Sequence, residues 1–283
     1  MAYNSHIGQA IVERGIQMKK NIREDFHSIY QMLSVMGSRK NNHAMRDNTA
    51  SERSDYDAYQ FTMAQSYGDA ERLLRDGYID VLPEIRSGVN ENLKRTEIRH
   101  RRHVETNVVG YCPHVPNAIL GLPNSMIMTK TQPQKVKAVS IIMDVDENAN
   151  VNVKDFVKCG ICVLSAINSL EVRGFRVNLK IAFVNAQAGE QSAVALVTVK
   201  DYREHLDLQK LCFPLCHPSM VRRFGFKWTE THPEIEDTHW SFGYGKHCNS
   251  QNFLKEGEVF INLKKVNKCE YDPEKLIESM NLK

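Results

Sequence analysis

The chain has 283 residues, a formal charge of +3 (37 basic against 34 acidic side chains) and 42% hydrophobic content, the profile of a globular protein with enough chain for one large domain or two modest ones. No apolar run approaches the roughly 20 residues that cross a bilayer, and the opening MAYNSHIGQAIVERG lacks the basic-then-apolar layout of a secretory leader. Seven cysteines favour reduced thiols in an intracellular setting over a disulfide framework, and a pI near 8.4 permits nucleic-acid contact without demanding it.

Ile7, Ile11, Val12 and Ile16, then Phe26, Ile29, Tyr30 and Leu33, recur near helical spacing and predict two short amphipathic helices. Residues 38–54 offer only alanine and methionine as apolar side chains and read as a mobile loop or linker. A helix is expected over residues 57–76, stopped by Gly77, and another over 82–102. Residues 106–111 look strand-like, and Pro113, Pro116 and Pro123 punctuate a non-helical stretch to about Met128. Residues 136–145 form an apolar β-rich run, residues 153–174 a long helix closed by Gly174, and residues 176–184 a second strand. Strand, helix and parallel strand make a crossover unit of the usual size. A strand over 193–200, a helix over 203–211, a strand over 259–263 and a helix over 273–280 complete an α/β pattern around a mainly parallel sheet.

Three segments carry a resemblance: Pro116–Met126 (PNAILGLPNSM), the helix end Leu170–Gly174 (LEVRG), and Pro214–Phe226 (PLCHPSMVRRFGF). Together they resemble a family of tailed-bacteriophage and prophage proteins of unknown function whose C-terminal part is similar to a von Willebrand factor A-type domain. The resemblance spans roughly residues 56–228. It implies a viral origin, a host-cytoplasm location, and an α/β fold with a von Willebrand A-like, mainly parallel sheet flanked by helices. On this reading residues 1–103 form a helical N-terminal region with a polar linker near 38–54, and residues 104–283 the A-like domain. The family brings no catalytic residues.

The loop after the first predicted strand reads Asp144-Val-Asp146-Glu-Asn148, at the carboxyl end of a parallel strand, where open α/β sheets bind ligands. Asp144, Asp146 and Asn148 occupy the positions of the Asp-x-Ser-x-Ser metal site of A-type domains, with both hydroxyls replaced but oxygen donors retained for Ca²⁺ or Mg²⁺. A calcium-loop frame over residues 144–155 lacks the central glycine and the final glutamate. A helix-capping turn rich in Asp and Asn is the favoured reading, with no cofactor and the cation as the minority one. Cys159-Gly-Ile-Cys162 has redox spacing but lies inside an apolar helix, where core thiols are the better account. Cys212, Cys216 and His217, with His232, His239, His247 and Cys248, lack a compact zinc spacing. Gly243-Tyr-Gly-Lys246 lacks a phosphate-loop frame, and no nucleophile elbow or metalloprotease motif occurs.

The basic concentration is residues 94–103. At helical spacing Arg95, Arg99 and Arg102 would share a face, flanked by Lys94 and Arg101, a stripe able to neutralise several phosphates. Arg222 and Arg223 beside Phe224, Phe226 and Trp228 suggest stacking on unpaired bases. A solvated helix face with core aromatics is the competing reading. The expectation is a non-enzymatic phage accessory protein that binds nucleic acid, single-stranded in preference, and recruits transcription or replication machinery. The alternative is an adaptor, structural component or inhibitor that binds a phage or host protein through the Asp144–Asn148 loop. An enzyme comes a distant third, and no membrane partner is expected.

Overall fold

A computed structural model describes residues 20–41, 51–95, 102–131, 137–145, 152–186, 191–235 and 253–282. In chain order, β1 (Lys20–Phe26) and α1 (Ile29–Ser38) precede α2 (Tyr56–Thr62), α3 (Tyr67–Asp76) and α4 (Leu82–Arg95). A small module follows, with β2 (Arg102–Asn107), β3 (Cys112–Pro113), α5 (Val115–Ile119) and β4 (Met126–Thr131). Then come β5 (Lys137–Asp144), α6 (Val153–Val172), β6 (Phe175–Ala186), β7 (Gln191–Lys200) and α7 (Leu208–Cys216). A π-helical turn (Met220–Gly225) runs into α8 (Phe226–Thr231), and β8 (Glu258–Asn262), α9 (Leu263–Lys268) and α10 (Pro273–Ser279) close the order.

The fold is α/β, built on a mostly parallel five-stranded sheet in the order β1-β7-β6-β5-β8. Only the β6–β7 pair is antiparallel. The β5–α6–β6 crossover forms as the sequence predicts, because an unbroken apolar strand needs cover on both faces and α6 supplies one of them. Val139, Ile141 and Met143 of β5 join the large core with Val163 and Leu164 of α6 and Leu276 of α10. Ile142 points the other way, into a smaller cluster with Ala182, Val194, Leu196 and Phe253. Asn152 caps α6 by accepting from the Lys154 amide, and Gly174 ends the turn after it at φ 91°.

The N-terminal region is not purely helical. Residues 20–26 form an edge strand parallel to β7, with Ile22 and Phe26 buried in the same core as α6. Helix α4 packs on α6 as well: a Cβ on Gly88 would fall 2.6 Å from Ile161 Cγ2, so the glycine sets that approach. The helix expected over 57–76 is two helices. Met63 adopts a left-handed conformation (φ 58°), and Ser66 caps α3 by accepting from the Asp69 amide. The helix expected over 203–211 lies at 208–216, started by Asp207, which accepts from the Gln209 and Lys210 amides.

Residues 102–131 form a separate three-stranded sheet, in the order β2-β4-β3. Register pairs Arg102 with Thr131 and Asn107 with Met126, so the module leaves and rejoins the body at neighbouring points. Its proline-punctuated stretch contains one short helix, α5, which the prolines did not predict; Pro116 sits in its first turn, where the missing amide costs nothing.

Candidate interaction surface

The arginine-rich segment that suggested base stacking is part of the core. Arg222 and Arg223 are 4% and 0% exposed, and Trp228 is 0% exposed. The break between α2 and α3 explains why two cations are buried here, since a helix end leaves carbonyls without partners. Arg222 Nη1 donates to Phe61 O at 2.7 Å, with its guanidinium 4.2 Å from the Phe61 ring centroid. Ser219 Oγ donates to Thr62 O at 2.6 Å, and Arg223 Nη2 to Ala64 O at 2.8 Å. Arg223 Nη1 also donates to Ser51 O and Arg53 O. Glu230 accepts from the Ser51 amide and hydroxyl, so Ser51, placed by composition in a linker, is fully buried. The expectation that Arg222, Arg223 and Trp228 contact nucleic acid meets three buried side chains whose guanidinium Nη and indole N–H groups donate within the protein, so none of them is presented to a nucleic acid.

Trp228 Nε1 donates to Glu24 Oε2 at 2.7 Å, beside the bidentate Arg39 and 3.5 Å from His232 Nε2. Burial acts to raise the Glu24 carboxyl, but Arg39, Trp228 and His232 outweigh it and hold the pKa below the usual range. The cluster ties β1 to α1 and α8. His217, stacked on Phe213 at 4.7 Å, accepts from the Ser219 amide, and burial pushes its pKa down to about 4.

The basic stripe does not form one helical face. Helix α4 stops at Arg95 and Arg102 opens β2, where side chains alternate with a period of two. Lys94 and Arg95 close α4, while Arg99 and Arg101 lie outside the described residues. Asp144 is buried at the carboxyl end of β5, between Ala182 and Asn262 in register; Asp146 and Asn148 lie outside the described residues. Among the described residues no group of three or more His, Cys, Asp or Glu side chains could hold a metal ion. His239, His247, Cys248 and the Gly243–Lys246 turn fall outside them.

Cys159 and Cys162 are buried, and burial pushes the Cys162 thiol up to about 12, the opposite of what a redox thiolate needs. Gly160 between them has a packing role: a Cβ there would sit 2.2 Å from Cys216 Sγ, so the glycine lets α7 close on α6. A pocket of about 140 Å³ opens at the start of α1, between His27, Tyr30, Leu74 and Lys200. Lys200 is already engaged, by Glu171 at 2.5 Å and by two carbonyls, as is Lys210 by Glu204.

The unaccounted surface is the small sheet. From Glu105 to Met128 no side chain is buried. Yet Val108, Val109, Tyr111, Val115, Ile119, Leu120 and Leu122 stand 46–79% exposed, seven of the eleven exposed large hydrophobics among the described residues. The module is held by hydrogen bonds to its backbone carbonyls: Tyr111 N–H donates to Ile127 O, His114 N–H to Ser125 O, and the Asn117 side-chain amide to Asn124 O. Gly110 is required where β3 folds onto β4, because a Cβ would approach Ile127 O to 2.2 Å. Gly121 takes φ 62° to end the turn after α5. Residues 106–129 contain no Asp, Glu, Lys or Arg, although a quarter of the whole chain is charged. Sequence reasoning read a strand over 106–111, the punctuating prolines and the resemblance at Pro116–Met126 here, but not the missing charge, which was the signal.

The family model for "Domain of unknown function (DUF7192)" matches residues 8–281. The chain belongs to this family. The match runs through the sheet, the buried arginine segment and the projecting module together, so the module is part of the family's extent. No curated protein and no solved structure matches the chain.

Proposed function

We propose that this DUF7192 protein is a non-enzymatic adaptor or assembly component that binds protein through the β2–β4 module. The observation that carries the reading is a contiguous, charge-free segment with seven exposed large hydrophobics and no buried side chain. Exposed apolar patches of this extent mark interaction sites, and Tyr111 among aliphatic neighbours matches the composition of an interface centre. The A-type resemblance supports a recognition role as well, and a tailed-phage setting is compatible with an assembly partner. Binding shifts from the Asp144 loop, where the sequence placed it, to the module. Nucleic-acid binding, the leading sequence expectation, has lost Arg222, Arg223 and Trp228 to the core.

A photo-crosslinking residue in place of Tyr111, compared with one in place of Tyr56 on α2, tests this. Both positions are highly exposed, at 70% and 74%. Protein adducts in expressing cells are expected from position 111 alone. Equal adducts at both positions, or none at 111, would refute the reading.

A further inference from the structure

Resting on that reading, we infer that the partner is a second copy of this chain, docked module to module about a two-fold axis. In such an isologous contact each surface meets itself, so any net charge on it repels its own image. Residues 106–129 carry none, and the charged residues that bound this stretch in the sequence are Glu105 and Lys130. Homodimer interfaces are also more apolar than heterologous ones, and this segment is charge-free.

The area agrees. Taking roughly 150–200 Å² for each fully exposed side chain of this size, the seven residues present on the order of 700 Å². A stable, standard-size interface buries about 800 Å² per partner. The exposed Pro113, Pro116, Ala118 and Pro123 between them add further apolar area, which brings the module to about the size a dimer needs. It is also rigidly presented, since backbone hydrogen bonds and Gly110 fix β3 and α5 against β4 before any partner arrives.

Sedimentation equilibrium on the intact chain, from about 1 to 200 µM, reads the outcome. The expected result is a dimer of micromolar affinity or tighter, as standard-size interfaces give. Ile119→Asp and Leu120→Asp, at 79% and 72% exposed positions, should each weaken it at least tenfold. Compared at a concentration where the parent is dissociated, both variants should keep the parent urea midpoint, and Tyr56→Asp should keep the parent mass. Cys112 gives a readout without an aspartate: it is the exposed cysteine among the described residues. A short bis-maleimide should link two chains, and Cys112→Ser should abolish the link. A chain monomeric throughout, or a dimer indifferent to both aspartates, overturns the inference. A monomer that still captures another protein from position 111 sinks the self-association alone. A monomer with no adduct at 111 sinks the protein-binding reading with it.

Discussion

Replacing Arg223 by methionine keeps the length of the side chain and removes all five donors. Three carbonyls, on Ser51, Arg53 and Ala64, then lose bonds of 2.7–2.8 Å inside the protein. Each bond from a charged donor is worth about 1.5–3 kcal/mol. Their simple sum overstates the loss, because the guanidinium itself no longer has to be desolvated. A net cost of about 3–5 kcal/mol is expected, in the range found when one partner of a buried polar network is removed. With a urea slope of about 2–3 kcal/mol/M, the unfolding midpoint should fall by about 1–2 M. Far-ultraviolet circular dichroism and tryptophan fluorescence follow the transition, the latter through buried Trp228. A second effect is specific to this site: the Ser51 and Ala64 backbone loses its tether, so proteolytic cleavage near residues 51–64 should accelerate. An unchanged midpoint combined with lost nucleic-acid affinity would refute the reasoning and return Arg223 to the surface role its neighbours suggested.

Other expectations follow from the same packing. His217 titrates at about 4 in the fold, against about 6.5 in an unfolded chain. The unfolded state therefore binds the extra proton between those values, and roughly 3 kcal/mol of stability should be lost as pH falls from about 6.5 to 4. His217→Gln should flatten that part of a urea-midpoint profile; an unchanged slope would show that other groups set it. Gly160→Ala should destabilise by about 1–3 kcal/mol through its clash with Cys216 Sγ. Adding Cys216→Ala should recover part of that, and strict additivity in the double-mutant cycle would mean that the two residues do not touch. Trp228→Phe should cost about 1–2 kcal/mol by removing the Nε1–H donor to Glu24. It should also raise the Glu24 pKa, read from the acid limb of the stability profile.

The central strands were legible because their signal is local. β5 is an apolar run bounded by polar loops, α6 carries a long apolar series, and Gly174 marks its end. The edge strand β1 was not, because KNIREDF offers only Ile22 and Phe26 to its buried face and Phe26 fell at a helical interval from Ile29, Tyr30 and Leu33. The split between α2 and α3 had a signature in Ser66 and Asp69, a cap followed three residues later by an acid whose carboxylate accepts from the Gln65 amide. That signature was hidden inside a continuous helical pattern. Arg222 and Arg223 could not be placed from sequence, since the carbonyls that accept their protons lie some 160 residues away along the chain. Local context made them look like surface cations, and only the α2–α3 break supplies the reason for burial. The candidate interface shows the reverse: its composition was visible, but exposure of apolar residues is a tertiary fact.

The most direct test of the central claim is excision of the module. Arg102 and Thr131 are cross-strand neighbours, so residues 103–130 can be replaced by a short glycine-serine linker without straining the body. The account predicts a protein that no longer associates and keeps the urea midpoint of the dissociated parent, because no described side chain from Glu105 to Met128 belongs to the core. A body that unfolds on excision, or one that still associates with undiminished affinity, would contradict it.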